Sequence, residues 1–334
     1  MAKIFVAELI EGEPVTAFFL AKQIQVRPRK RGDPFATLTL ADRTGELPAV
    51  MWEGAGDATS DLAEGDIVKV QGVLGSYQGT PQFTVGRLRK ALPEEVELDD
   101  YLPRSEKDPQ VLLAELKAVV DSLKEPHLQR LLQGLLADPE ILQAWSQAPA
   151  AKGIHHAVLG GLLEHTVSVV GLCRLLADYY PAVDRDVLVA AAILHDLGKI
   201  RELTWDRVFD YTDAGRLLGH ITLGTLLVEA RIRAIPEFPE ALAQRLLHCI
   251  VSHHGELEWG SPKRPKTLEA IVLHYAEDLD GKVNAFVNFV KSSPDPRRPG
   301  WTQYNRSLDR YLFFGGREDA VPSGEPPAGS EDAA

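Results

Sequence analysis

At 334 residues the chain is long enough for about two domains, and 45% hydrophobic with 25% charged residues is the composition of a folded globular protein. A net charge of −12 excludes a histone-like coat protein of nucleic acid, and no apolar run reaches the roughly 18 residues needed to span a bilayer. The charge is uneven: residues 1–90 carry 11 basic and 11 acidic side chains, so the acidic excess lies downstream.

The N-terminal stretch lacks a signal-peptide layout, because Glu8, Glu11 and Glu13 interrupt it. Residues 15–20, 35–40, 47–52, 66–74 and 82–85 then read as short strands, with Asp42-Arg43-Thr44-Gly45 as a turn. Five strands in this span predict a small all-β, Greek-key barrel of the OB type. Gly45, Gly72 and Gly75 suit its turns and bulges. Arg27, Arg29, Lys30 and Arg31 form a basic loop between the first two strands, the edge where such barrels hold nucleic acid. Contact with a phosphate backbone and a merely solvated loop weigh equally here, and Arg87, Arg89 and Lys90 extend the patch. Phe35, Trp52, Tyr77 and Phe83 are candidate stacking platforms for bases. Aromatics on short strands are more often core, so one or two of the four are expected to be functional.

Residues 93–107 are acidic, contain prolines and read as a linker. From residue 108 the period becomes helical: Leu112, Leu116, Val119 and Leu123, then Leu128, Leu131, Leu132 and Leu135. The helical reading continues to residue 291. The expected division is a barrel over 1–92, the linker, a helical connector over 108–152, an all-α domain over 153–314 and a disordered acidic tail over 315–334. Cys173 and Cys249 lie in apolar helical contexts and read as small buried hydrophobes in a reducing cytoplasm.

Nine of the ten histidines lie between His155 and His274. Several stand inside apolar helices, among them His165, the doublet His195-Asp196 and the doublet His253-His254. Burying an unpaired polar side chain costs about 1–3 kcal/mol, so the set points to a shared polar site inside a helical bundle. A metal centre satisfies all of them at once. Adjacent helical residues point about 100° apart, so the His-Asp doublet can serve two sides of a metal centre or let the aspartate bridge two ions. Two ions about 3.5–4 Å apart can clamp a phosphodiester. Mixed histidine and carboxylate donors suit Mn²⁺, Fe²⁺, Zn²⁺ or Ni²⁺ without choosing among them; Mn²⁺ is the first expectation, with Fe, Co, Mg, Zn and Ni as alternatives. Lys199 reads either as a phosphate-neutralising catalytic residue or as a helix-end cation. His155-His156 reads as a cap, a substrate contact or surface. His248 and His274, taken singly, read as satisfied core residues.

The order His165, His195-Asp196 with Lys199, and a late acidic helix resembles the HD-domain superfamily of metal-dependent phosphohydrolases. Gly160-Gly161-Leu162-Leu163-Glu164-His165, Leu218-Gly219-His220-Ile221, Ser252-His253-His254-Gly255 and Ser261-Pro262 resemble the YhaM-type 3′–5′ exoribonucleases of bacteria, as does the barrel segment Leu40-Ala41-Asp42-Arg43-Thr44-Gly45-Glu46. The resemblance implies His165, His195, Asp196, His220, His253 and His254 as metal ligands. It also implies removal of nucleoside monophosphates from the 3′ end of single-stranded RNA in the cytoplasm. Single-stranded DNA is an alternative substrate, and homo-oligomerisation stays open. The superfamily pattern Ala-Asp-x-Leu-Asp reads Ala276-Glu277-Asp278-Leu279-Asp280 here, which puts Glu277 at the last ligand position with Asp278 and Asp280 as substitutes. Two rival readings remain at this level: a phosphohydrolase of small nucleotides with a regulatory barrel, and a non-catalytic RNA-binding protein.

Overall fold

The computed structural model describes residues 3–315 except 30–32, 78, 98–99, 153–155, 206–207, 293–294, 296–297 and 307. Lys30, Arg31, His155 and the tail beyond Gly315 therefore lie outside the described residues.

The N-terminal strands are β1 (Pro14–Arg27), β2 (Phe35–Asp42), β3 (Gly45–Met51), β4 (Ile67–Tyr77) and β5 (Thr80–Lys90). They close into a barrel in the order β1-β2-β3-β5-β4, with β3 and β5 parallel, which is the OB arrangement. The strands are longer than the sequence pattern suggests. β1 pairs with β4 through its first half and with β2 through its second, and a bulge between Ala21 and Gln23 lets it bend between the two. Gly72 sits at a second bulge, where an added Cβ would lie 2.2 Å from the Thr84 carbonyl. A short helix, α1 (Ala55–Thr59), packs on the barrel core through Ala55 and Ala58. Phe83 is fully buried there, edge-on to Phe19 at 6.2 Å, so of the four aromatic candidates this one is core.

The expected linker is not a loose tether. Tyr101 and Leu102 are buried with Leu20 and Ala41 of the barrel and Leu159 of the helical part, and Trp205, Val208 and Phe209 close over them. Backbone bonds tie the same segment down, Leu159 N to Pro103 O at 2.8 Å and Ser105 N to Leu159 O at 2.9 Å. Its acidity and prolines give it no period to read, yet Tyr101 and Leu102, with Val96 packed beside them, join the domains.

The helices that follow are α2 (Pro109–Asp121), α3 (Pro126–Leu136), α4 (Pro139–Gln147), α5 (Gly161–Tyr179), α6 (Arg185–Leu194), α7 (Lys199–Glu202), α8 (Asp213–Arg233), α9 (Glu240–Ser252) and α10 (Leu268–Ser292). The first three start alike, with an acidic cap before proline. Asp108 accepts from Gln110 N, Glu125 from Leu128 N, and Asp138 from Glu140 N and Ile141 N. α6 is the centre of the bundle: every residue from Val187 to Leu194 is buried, and α5, α9 and α10 pack around it. Its C-terminal end therefore delivers His195 and Asp196 into the interior. Two short strand pairs depart from the all-helical reading: β6 (Leu203–Thr204) with β7 (Asp210–Tyr211), and β8 (Trp301–Asn305) with β9 (Arg310–Phe313). Among the described residues, no helix is long and apolar enough to cross a membrane.

Candidate metal centre

Five elements converge at the end of α6. α5 supplies His165, the α6 terminus His195 and Asp196, α8 His220, the end of α9 His253 and His254, and α10 Glu277. His195 and His253 occupy the same local position, each at a helix C-cap. The sequence makes this turn possible with small residues. Gly219 (φ 71°) breaks the helical path just before His220, and Gly198 packs so closely that a Cβ would lie 2.0 Å from the His220 carbonyl.

Each imidazole is held from behind. His195 Nδ1 donates to Ala192 O at 2.8 Å, His253 Nδ1 to Ile250 O at 2.7 Å and His254 Nδ1 to Trp259 O at 2.8 Å. His165 Nδ1 donates to Asp280 Oδ2 at 2.7 Å and His220 Nδ1 to Glu202 Oε1 at 3.1 Å. A carbonyl or carboxylate acceptor fixes the proton on Nδ1, so every Nε2 presents a lone pair. These lone pairs meet around Asp196. His165 and His195 Nε2 stand 3.5 Å from Asp196 Oδ2, while His220 and His253 Nε2 stand 3.4 and 3.5 Å from Oδ1.

The donor atoms fit a cation. Asp196 Oδ1, His220 Nε2 and His253 Nε2 are buried with no hydrogen-bond partner among the described residues. His165 and His195 Nε2 face each other at 3.3 Å with both protons committed elsewhere. Such an arrangement is repulsive and desolvated unless a positive charge lies between the donors. The atoms fall into two sets, His165, His195 and Asp196 on one side and His220, His253 and His254 on the other, each within 4.8 Å internally. Burial holds His253 well below the usual histidine range and lowers His254, which keeps both neutral and able to ligate. Burial works against the Asp196 charge, but Lys199 and His195 outweigh it and hold its carboxyl well below the usual range.

Asp280, read from the sequence as a substitute for the last ligand, stands behind His165 as its anchor. It accepts from His165, from His156 Nε2 at 3.3 Å and from the Ser168 hydroxyl. Burial pushes its carboxyl up, and the hydrogen bonds from His156 and His165 pull it down further. His156, for which a cap, a substrate contact and surface were the open readings, stands behind His165, with its ring between Asp280 and Glu164. Glu202 is a second anchor, one that sequence reading missed, accepting from both the backbone and the ring of His220. Asp278 turns outward to Lys282 at 2.6 Å. Glu277 lies outside both donor sets, and burial, then the Asp196 charge, push its carboxyl up to about 7. Lys199 Nζ donates to Asp196 Oδ2 at 2.6 Å, so its charge serves the carboxylate in this arrangement. His274 donates to His253 O at 2.9 Å, which fits its reading as a core residue.

Residues 162–282 match the HD domain, and residues 21–91 match an OB-fold nucleic acid binding domain. The chain is 37% identical over 275 residues to the 3′–5′ exoribonuclease YhaM of Bacillus subtilis (strain 168), covering 82% of this chain and 86% of that relative. It is 36% identical over 306 residues to the YhaM of Bacillus licheniformis, covering 91% and 95%. The YhaM of Geobacillus sp. (strain WCH70) is 35% identical over 305 residues, covering 91% and 92%. The chain belongs to the YhaM 3′–5′ exoribonuclease family. Its HD domain carries with it divalent-metal binding, and the His/Asp sets above are where this YhaM-family chain offers the donors.

The barrel of this family member brings some of the expected nucleic-acid contacts together. Phe35 and Trp52 stack at 5.2 Å, and the Arg29 guanidinium lies 5.1 Å over the Trp52 ring with a hydrogen bond to its carbonyl at 2.6 Å. Arg27 pairs with Phe35 across β1 and β2 and bonds Gln25 at 2.7 Å. Tyr77 is not part of this group. It opposes Thr80 at the β4–β5 turn, and the β3–β5 register places that level about 20 Å from Trp52 at about 3.3 Å per residue. Arg89 is engaged by Glu95 at 2.7 Å.

Proposed function

We propose that this chain removes nucleoside monophosphates from the 3′ end of single-stranded RNA, with two divalent cations, Mn²⁺ by preference, held on either side of Asp196. The observation that carries the reading is the aspartate itself. It turns one oxygen to His165 and His195 and the other to His220 and His253, and that second oxygen and both imidazole nitrogens facing it have no hydrogen-bond partner among the described residues. His165, His195 and Asp196 would hold one ion, and His220, His253, His254 and Asp196 the other, with Glu277 as the remaining candidate ligand. Bound divalent cations supply Lewis-acid polarisation of the phosphate and acidify water. The protein residues do the rest. The Nδ1 anchors hold five imidazoles in one tautomer, burial keeps the lone pairs of His165, His253 and His254 available, and Lys199 offsets the negative charge gathered at Asp196.

The barrel supplies the grip on the strand. The Arg29–Phe35–Trp52 group combines a cation with stacking surface, as sequence-tolerant single-strand binding requires. A cleft of about 740 Å³ runs between the barrel and the helical part, lined by Lys22 and Gln23 on one side and Lys152 and Asn288 on the other. Asn288 bonds Asn284, which accepts from the His156 backbone, so the cleft borders the outer shell of the metal centre. A mononucleotide needs no such groove, which favours a polymer over the small-nucleotide reading.

The test is incubation with 5′-labelled single-stranded RNA and DNA across Mn²⁺, Mg²⁺, Co²⁺ and Zn²⁺, followed by product sizing. Progressive shortening from the 3′ end with release of mononucleotides is expected, and Asp196→Asn is expected to abolish it while helical circular dichroism persists. Turnover of free nucleotides without shortening of the oligomer would replace this reading with the phosphohydrolase one.

A further inference from the structure

The C-terminal hairpin β8–β9 reverses the usual pattern of a folded sheet. Its inward side is Thr302, Asn305 and Leu312, all buried. Its outward side is aromatic: Trp301, Tyr304, Tyr311 and Phe313 are 41%, 44%, 49% and 58% exposed. They stand as two cross-strand pairs, Trp301 with Phe313 at 4.8 Å and Tyr304 with Tyr311 at 5.2 Å. Solvating four aromatic rings on one short hairpin is unfavourable, so such a surface marks a contact.

The charge around the rings says which kind. Arg298 lies 5.8 Å over the Tyr311 ring, and Arg306 and Arg310 are exposed on the same hairpin. Asp309 is the carboxylate in the turn, and it is engaged by the Tyr304 hydroxyl. Clustered arginines on a chain of net charge −12 are not its average surface. Rings interleaved with guanidinium groups are complementary to stacked bases joined by phosphates.

We propose that β8–β9 is a second platform for single-stranded RNA, separate from the barrel, on which bases stack against Trp301, Tyr311 and Phe313 while Arg298 and Arg310 meet the phosphates. The proposal rests on the exoribonuclease reading. α10 carries Glu277 and ends at Ser292, about 22 Å further on at a rise of about 1.5 Å per residue. The platform therefore engages the strand upstream of the nucleotide being removed.

The experiment uses the full chain in EDTA, where binding is read without cleavage. A single-stranded RNA carrying 4-thiouridine is crosslinked and the attached peptides are identified. A crosslink within residues 298–313 is expected beside those in the barrel. In parallel, Tyr311→Leu and Trp301→Leu, which keep apolar volume and lose the aromatic face, are expected to weaken binding of a long oligomer at least about fivefold each, the lower end for one stacked base. Arg298→Gln is expected to reduce the slope of log affinity against log salt by about 0.7. Crosslinks confined to the barrel, or variant affinities within twofold of the parent, overturn the platform while leaving the exoribonuclease reading standing. Loss of self-association in the variants with RNA affinity unchanged assigns the face to a second copy and also overturns it. A parent chain that neither binds nor shortens RNA overturns both readings together.

Discussion

Replacing Asp280 with asparagine tests whether the metal centre depends on its buried supports. Asparagine keeps the shape, but it exchanges a carboxylate that accepts from His165, His156 and Ser168 for one oxygen and an NH₂ group facing donors. A hydrogen bond to a charged group contributes about 1.5–3 kcal/mol and a neutral one about 0.5–1.5, so weakening the His165 anchor costs about 1–2 kcal/mol. That is about 5- to 30-fold in affinity on the His165 side, overlapping the 10- to 100-fold typical of outer-shell changes. The assay is Mn²⁺ titration of hydrolysis, comparing half-activation concentrations, with thermal melting of metal-free protein as the stability control. Half-activation should rise by that factor, with turnover largely recovered at saturating metal. Asp278→Asn is the reference, because its carboxylate faces Lys282 on the surface. If Asp280→Asn titrates like the parent while Asp278→Asn shifts, the roles assigned along this helix are wrong.

Glu277→Gln should raise the half-activation concentration and Glu277→Asp preserve or lower it if, as proposed, this carboxylate closes the ligand set; equal titration of Gln and parent removes Glu277 from the set. Gly198→Ala forces a Cβ to 2.0 Å from the His220 carbonyl and 2.5 Å from Gly224 N, both backbone, and should cost about 1–3 kcal/mol, read as a fall in urea midpoint. Cys173 and Cys249 are buried and free, and burial pushes both thiols up to about 12. The thiolate is the reactive form, so at pH 8 iodoacetamide should label native protein slowly, faster as pH rises and fully only on unfolding; rapid stoichiometric labelling at pH 8 contradicts the burial.

The barrel was legible because period-2 alternation survives wherever one face of a strand is buried. The second half of β1 hid from that reading, since Lys22, Gln23, Gln25 and Arg27 are exposed and Val26 is half exposed. α1, five residues long, is too short to show a period. The candidate donors were legible because histidines inside apolar helices need partners. Their supports were less so. Ala192, Ile250 and Trp259 contribute carbonyls, which any residue carries. Glu202 and Asp280 are ordinary carboxylates until the fold sets them behind His220 and His165. The Asp108-Pro109, Glu125-Pro126 and Asp138-Pro139 caps were readable signals for helix starts that periodicity alone does not locate. The β8–β9 hairpin escaped because its apolar residues face outward, so alternation there points away from a core.

The two domains are coupled by more than a tether, and this decides how the barrel must be tested. A polar chain runs from Ser105 in the joining segment to Glu164 at 2.7 Å, on to His156 at 3.7 Å, then to Asp280 and His165. Burial works against the Glu164 charge, but the neighbouring His156 and the hydrogen bond from Ser105 prevail and hold its carboxyl at about 2. Deleting residues 1–104 therefore removes more than RNA-binding surface: it uncovers Leu159, takes away Tyr101 and Leu102, and loosens the segment that steadies Glu164. Such a truncation should alter metal activation as well as strand affinity. Substitutions on the barrel's outer face leave the joint intact. Trp52→Ala with Arg29→Gln should weaken binding of long single-stranded RNA and flatten its salt dependence, with Mn²⁺ half-activation unchanged. Binding is measured in EDTA and activation on a very short oligomer. If the double substitution shifts metal activation as strongly as the truncation does, the joint is not what links the barrel to the metal centre.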